Sequence, residues 1–429
     1  MTRLRLAGPF VLAAVTALLP AAARAGGYDT PMLYSARHMG MGGTAIGYVN
    51  EPSAIFHNPA GLAQIGSLAA TGDFTLLLAK VRSSPNLLVK DTTSKQTVAP
   101  LGLVGGGLRL NEIVTIGLGV YPIALAGATY RYPPGRYGGI TEDRTRLVFF
   151  EASPAVAFNL PARVRLGAGY RVTYTSITRF SGNPDNPAST PFLDFKMHGI
   201  NWEGFRVGAQ WTPLDWLQVG AVYRHKTKTK VTNDSGIAVG MKFTDIDTTF
   251  VLPSKAGAGA RADLGYLGIA VDGEYLFNEQ NKGYPLNGLP PAPMMGTAMR
   301  TSVPNFFLWK NEFTVRGGLE LRMGFVRALE RLAVRGGYVY DGKTTNPVYP
   351  SAFGTPPGPT NVITGGLGWK GGRWQVNAAY AYRFGTGAVT PADIAMQSPA
   401  MPCAFCSAAG DLPYKINVHG LYLDFSYAY

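Results

Sequence analysis

The sequence predicts an all-β membrane protein, a 14-stranded antiparallel transmembrane β-barrel with an N-terminal plug, or hatch, in its lumen. Three observations predict it. From Leu68 onward apolar and polar residues alternate with period two, the pattern of strands with one greasy and one polar face. Short and long connections between these segments alternate strictly, as periplasmic turns and external loops do in outer-membrane barrels. The composition holds 54 glycines in 429 residues, against a usual share of about 7%. Charge is low and the mean hydropathy is close to zero, because lipid-facing and lumen-facing residues cancel.

The first element is a leader. Arg3 and Arg5 precede an apolar run from Leu6 to Leu19, and Ala23-Arg24-Ala25 supplies a cleavage signature, so residues 1–25 read as a signal peptide. No later stretch approaches roughly twenty uninterrupted apolar residues, so no helix is expected to cross a membrane. Residues 26–66 lack alternation and are rich in glycine, from Met39-Gly40-Met41-Gly42-Gly43 to Asn58-Pro59-Ala60-Gly61. A turn-rich segment of this kind must lean on another core, and a barrel this wide needs a filler to stop leakage. It is therefore expected to be the plug, with residues 67–429 forming the barrel.

Fourteen strands follow, at about 68–80, 99–109, 112–121, 145–159, 163–179, 196–212, 216–229, 249–262, 266–278, 311–323, 330–340, 362–371, 373–384 and 415–428. The last is the clearest: Leu421, Leu423, Phe425, Tyr427 and Tyr429 share one face, while Tyr422, Asp424, Ser426 and Ala428 share the other. Between the short turns the pattern predicts long loops at 81–98, 122–144, 180–195, 230–248, 279–310, 341–361 and 385–414. A soluble sandwich would place its aromatics inside, and no repeat of 20–50 residues points to a propeller.

Composition also excludes functions. The formal net charge is +13, or +10 without the three leader arginines, with no basic helix or aromatic–basic motif to suggest nucleic acid. Positive groups are expected to face anionic lipid and lipopolysaccharide, or to draw anionic ligands into the lumen. No G-x-S-x-G motif occurs, and the five histidines fall in no catalytic or metal-binding spacing, so neither enzyme chemistry, nor a metal, nor an organic cofactor is expected. The two cysteines, Cys403 and Cys406, read in an exported protein as a small loop disulfide, with a redox pair or half a metal site as alternatives.

Transport of an apolar solute would require a greasy capture surface outside and a pocket within. The loop 279–310 offers Met294, Met295, Phe306, Phe307 and Leu308 as such a surface, with packing over the barrel mouth as the alternative. An anionic headgroup would need a cation. Arg171 and Arg179 share the lumen-facing parity of their strand and are the candidates, the alternative being ion pairs with Asp272, Glu274 or Glu320. In the third strand Gly119, Tyr121, Pro122 and Gly127 interrupt the β pattern, because proline cannot donate a ladder hydrogen bond.

The chain resembles the FadL/OmpP1/TodX outer-membrane transport proteins, which carry long-chain fatty acids and other hydrophobic molecules. The likeness runs through Gly42-Gly43-Thr44-Ala45, Phe56-His57-Asn58-Pro59-Ala60-Gly61-Leu62-Ala63, Gly135-Arg136-Tyr137, Ser153-Pro154-Ala155 and Pro213-Leu214-Asp215-Trp216-Leu217, to Arg335-Gly336-Gly337-Tyr338. The resemblance makes Asn58-Pro59-Ala60 the hatch motif. It makes Arg179, within Arg179-Phe180-Ser181-Gly182, a pocket residue, and Gly119 to Gly127 an inward kink that opens the wall sideways. The chain departs from the family at Asn50-Glu51-Pro52, at its terminal Tyr429 and in the loop holding the cysteines. The function expected is passive, monomeric uptake of hydrophobic molecules, long-chain fatty acids foremost, with aromatic hydrocarbons as an alternative substrate. A general diffusion porin is the main rival, and a structural or adhesive barrel the next.

Overall fold

A computed structural model describes residues 28–29, 32–85, 89, 91–133, 139–186, 188–291, 299–342, 344–350, 358–403 and 405–429. The leader, Gly135-Arg136-Tyr137, Met294 and Met295 lie outside the described residues.

Nineteen strand segments form one antiparallel sheet. They are β1 (Leu68–Ser83), β2 (Thr92–Thr93), β3 (Thr97–Arg109), β4 (Val114–Tyr132), β5 (Thr141–Leu160), β6 (Val164–Gly182), β7 (Leu193–Leu214), β8 (Leu217–Arg224), β9 (Thr227–Ala238) and β10 (Met241–Leu252). After these come β11 (Lys255–Leu264), β12 (Leu267–Leu276), β13 (Leu286–Leu289), β14 (Thr301–Val303), β15 (Glu312–Arg322), β16 (Leu332–Asp341), β17 (Thr360–Gly371), β18 (Trp374–Gly387) and β19 (Tyr414–Ala428). The first and last strands pair, from Ala69 with Ala428 to Arg82 with Lys415, so the sheet closes. Closure leaves no free edge, which hydrocarbon would penalise.

The segments make fourteen crossings. β8 and β9 are one crossing broken at His225-Lys226, and β10 and β11 are another broken at Pro253-Ser254, since β8 pairs with β11 and β9 with β10. The short connections come from local chemistry: at the β3–β4 turn the Asn111 side-chain oxygen accepts from the Ile113 and Val114 amides at 2.9 and 2.8 Å.

Two expected loops are instead strands. β4 and β5 continue through most of 122–144, and β9 and β10 fill most of 230–248. The reason is visible on β9, where the outward positions are Lys228 and Lys230. Beyond the hydrocarbon layer a strand no longer needs an apolar outer face, so the alternation fades while the ladder continues.

Side-chain direction follows the alternation. Phe74, Val104, Leu319, Leu421, Leu423 and Phe425 are exposed on the outer face, whereas Asp73, Thr75, Tyr422 and Asp424 are buried inside. No helix among the described residues is long and apolar enough to cross a membrane.

Residues 32–65 are almost wholly buried and touch strands on several sides of the barrel. They form two single-turn helices, Ala36–Met39 and Ala54–His57, and a 3-10 helix, Pro59–Gln64. Gly42 and Gly43 have φ of 70° and 76°, values that L side chains disfavour, and they turn the chain between the first two helices.

Candidate functional site

Asn58 caps the 3-10 helix, accepting from the Ala60 amide at 3.2 Å, with Pro59 at its first turn. Its amide nitrogen donates to the Ile46 carbonyl at 2.8 Å and to that of Ala209 on β7 at 3.1 Å. Gly208 permits this approach, because a Cβ there would overlap the Asn58 side chain. The motif thus fastens the N-terminal segment to itself and to the wall.

Wall carboxylates complete the fastening. Asp272 accepts the amides of Ala45 and Ile46 at 2.7 and 3.1 Å. Asp424 accepts from Ser35 Oγ and the Arg37 amide at 2.7 and 2.8 Å, and Asp73 accepts the Ala36 amide at 3.2 Å. Each satisfies backbone donors that the single-turn helices and turns leave open. Arg224 grips Asp29 through two hydrogen bonds of 2.7 and 2.5 Å. Within the segment, burial opposes ionisation of Glu51, yet Arg37, His38 and Ser53 hold its carboxyl well below the usual carboxylate range. Burial, with His38 alongside, pushes His57 well below the ordinary imidazole value.

At mid-barrel Glu151 is fully buried and accepts from Arg171 Nε at 2.7 Å and from the Tyr121 hydroxyl at 2.6 Å. Arg206 lies 3.5 Å from the same carboxylate, donates to Tyr121 and reaches the Ile55 carbonyl of the N-terminal segment. Arg171 also donates to the His225 carbonyl at 2.6 Å, where the β8–β9 crossing is broken. Arg171 therefore faces the lumen but is held in a closed ion pair with Glu151, not with the carboxylates expected. Glu274 pairs with Lys255 and Arg316, and Glu320 with Arg261 and Arg335.

Arg179 lies eight positions further along β6, about 26 Å of strand. It is buried, donates to Thr145 Oγ1 and sits 3.8 Å from Asp143. It borders a chamber lined by Ile177, Phe195, Phe250, Leu286, Phe307 and Phe405. The chamber continues an apolar cluster containing Phe149, Met197, Tyr28 and Trp309, with the Tyr28 ring 4.6 Å from Trp309 and 5.4 Å from Phe149. Its free space is about 20 Å³, enough for one water. At the end with the short turns a vestibule of about 870 Å³ opens beside Arg37, Glu51 and Arg335.

Of the residues expected to form a capture surface, those described are not freely exposed. Phe307 is buried in the chamber, while Phe306 and Leu308 are half-buried. Sequence reasoning missed Phe195, Phe250 and Phe405 as chamber residues and Phe149 in the adjoining cluster. A signal existed: Leu147 and Phe149 occupy the parity that carries Glu151 on β5, and Ile177 that of Arg171 on β6, so the inner face turns apolar toward one end. Phe405 comes from a loop and carried no such signal. The sulfurs of Cys403 and Cys406 are bonded to each other.

The wall between β3 and β4 is paired from Arg109–Thr115 up to Val104–Val120. Beyond that point β3 keeps β1 and β4 keeps β5, with a register shift between Pro122 and Ala124. Tyr121, Pro122, Ile123 and Ala124 are all buried, so alternation is lost and the strand leans inward. Further out the Lys95 amide donates to the Thr129 carbonyl at 2.8 Å.

A closed barrel with a lipid-compatible outer face, an occupied lumen and an apolar inner chamber defines an integral outer-membrane transport barrel. Residues 17–261 match the family of outer membrane protein transport proteins (OMPP1/FadL/TodX), and the chain belongs to that family. The structure is similar to a Pseudomonas aeruginosa FadL homologue, at 14% identity and a TM-score of 0.71, covering 95% of this chain and 100% of that one. It is also similar to the Ralstonia pickettii toluene transporter TbuX (16%, TM-score 0.66, 93% and 99% covered) and the Pseudomonas putida toluene transporter TodX (16%, 0.64, 94% and 99%). Among curated proteins none matches the sequence.

Proposed function

We propose that the protein admits hydrophobic molecules, long-chain fatty acids foremost, passively through the bacterial outer membrane. Export would remove residues 1–25, and residues 26–66 would act as the hatch. A ligand is captured at the loop around Phe306, Phe307 and Leu308 and lodges in the outer chamber with its headgroup toward Arg179. It leaves sideways where the β3–β4 ladder lapses. The observation that carries this reading is the chamber itself, where Ile177, Phe195, Phe250, Leu286, Phe307 and Phe405 supply an apolar lining beside Thr248, Thr249, Tyr284 and Asn305, with one arginine at its border. Its position above a hatch fastened by hydrogen bonds to wall carboxylates and by the Arg224–Asp29 pair gives it a floor and speaks against a general diffusion porin.

Aromatic hydrocarbons are the second reading, supported by the rings of Tyr28, Phe149, Phe250 and Trp309 and by the likeness to two toluene transporters. One variant separates the two. A charge-assisted hydrogen bond is worth about 1.5–3 kcal/mol net. Arg179→Ala is therefore expected to weaken oleate binding by roughly tenfold to a hundredfold, while toluene binding stays within about twofold, as measured on the purified, folded barrel. Equal loss for both probes, or loss for neither, makes Arg179 a structural cation.

A further inference from the structure

The loop between β18 and β19 is anchored at two points that leave its middle lying over the chamber. Upstream, Gln397 donates to the Val348 carbonyl at 2.6 Å and the Ser398 amide to the Tyr349 hydroxyl at 3.1 Å. Downstream, the Ser407 amide donates to the Pro350 carbonyl at 3.0 Å and the Ala408 amide to that of Ser84 at 3.1 Å. Between these anchors lies the ring closed by Cys403 and Cys406, a sequence separation of 3. Phe405 sits inside that ring, and its side chain lines the chamber that Arg179 and Phe307 also line.

The ring also grips the capture loop. Cys403 forms an isolated antiparallel bridge with Asn305. The Cys403 sulfur lies 3.7 Å from Asn305 Oδ1 and the Cys406 sulfur 3.8 Å from the Phe306 carbonyl oxygen. A bonded sulfur has no proton to donate, so these are packing contacts that fit the ring against residues 305–306. Two distant loops thus meet at the disulfide, and each sends one phenylalanine into the same chamber. A disulfide that closes so short a sequence separation leaves Phe405 few conformations. Without the S–S bond, the placement of Phe405 would depend on anchors at Ser398 and Ser407 and on the bridge to Asn305.

We propose that Phe405 is a ligand-contact residue that sets how firmly the apolar part of a ligand is held in the outer chamber, and that the Cys403–Cys406 bond is what positions it. This rests on the reading of the chamber as the ligand site. Arg179 then selects for a headgroup, while Phe405 acts on any apolar ligand. In an oxidising compartment the bond persists. Dithiothreitol supplies two electrons and two protons, converting the S–S bond to two thiols while itself closing to a cyclic disulfide.

The test uses the full-length barrel in detergent, with oleate and toluene as probes and heat-modifiable gel migration to confirm folding. Phe405→Ala is expected to weaken both probes by roughly threefold to tenfold, the loss of part of an apolar contact. Phe405→Tyr retains wild-type binding. Reducing the already folded wild type reproduces the loss, as does Cys403→Ser with Cys406→Ser, and the double variant no longer responds to reductant. Most tellingly, reduction causes no further loss in Phe405→Ala, because the ring acts through that side chain. Unchanged binding in Phe405→Ala, or an undiminished response of Phe405→Ala to reductant, overturns the proposal while leaving the chamber as the ligand site. An oxidised wild type that binds neither oleate nor toluene overturns both.

Discussion

Around Glu151, Arg171, Arg206 and Tyr121 converge on one carboxylate with no water-exposed surface, and Arg206 carries the contact on to the N-terminal segment. Further out on the same β6 strand, Arg179 stands beside phenylalanines, with its carboxylate neighbour Asp143 at 3.8 Å. Both arginines have the same parity and both are buried. The difference is how tightly an acid is held to them. Where cation and anion meet at 2.7 Å in full burial, separating them would strand charges in a medium that cannot solvate them, so the cluster works as a fastening. On the proposed function, the arginine in apolar surroundings is the one at which an incoming anion would compete. Parity alone places an arginine in the lumen; its partners and surroundings decide what it can do there.

The contrast can be broken most directly at Glu151. Glu151→Ala leaves Arg171 and Arg206 without their buried counter-charge and is expected to cost about 3–5 kcal/mol. The cost would be read as a lower urea midpoint for the purified barrel, while Arg179→Ala lowers the midpoint less in the same experiment. A Glu151→Ala protein as stable as wild type would mean that the mid-lumen cluster is no fastening. A smaller effect is expected at Asn58. Asn58→Ala removes a cap and three carbonyl contacts, to Ile46, Ala209 and Ala221, a loss of about 1–2 kcal/mol. It should appear as raised ion conductance in planar bilayers, because a loosened N-terminal segment leaks. Conductance equal to wild type would separate the motif from sealing. The smallest effect sharpens the comparison from outside the lumen. Arg163 and Asp215 pair at the short-turn end with both side chains largely exposed. Arg163→Ala is expected to change stability by no more than about 0.5 kcal/mol. A larger loss would show that exposed pairs matter here as much as buried ones.

The last strand shows how much was readable in advance. Leu421, Leu423 and Phe425 against Tyr422, Asp424 and Ser426 announce a strand, its two faces and the medium each face meets, because side chains alternate whatever the strand pairs with. The same rule found all fourteen crossings and the lumen parity of Arg171 and Arg179. It lost the outer stretches of β9 and β10, within 230–248, where outward residues such as Lys230 are no longer apolar, since the signal comes from lipid and ends where lipid ends.

Local pattern and composition therefore determined the barrel, the odd character of residues 26–66 and the side of the wall on which each strand residue lies. Which acid meets which base was decided by tertiary structure alone, because Glu151, Arg171 and Arg206 come from three strands whose relative stagger no single strand encodes. The chamber is of the same kind. Ile177, Phe250, Phe307 and Phe405 come from separate strands and two loops, and they meet only because barrel closure and loop folding bring them to one end of the lumen. Alternation is a property of neighbours in sequence. A pocket is a property of neighbours in space, and in a closed barrel those neighbours are set by register.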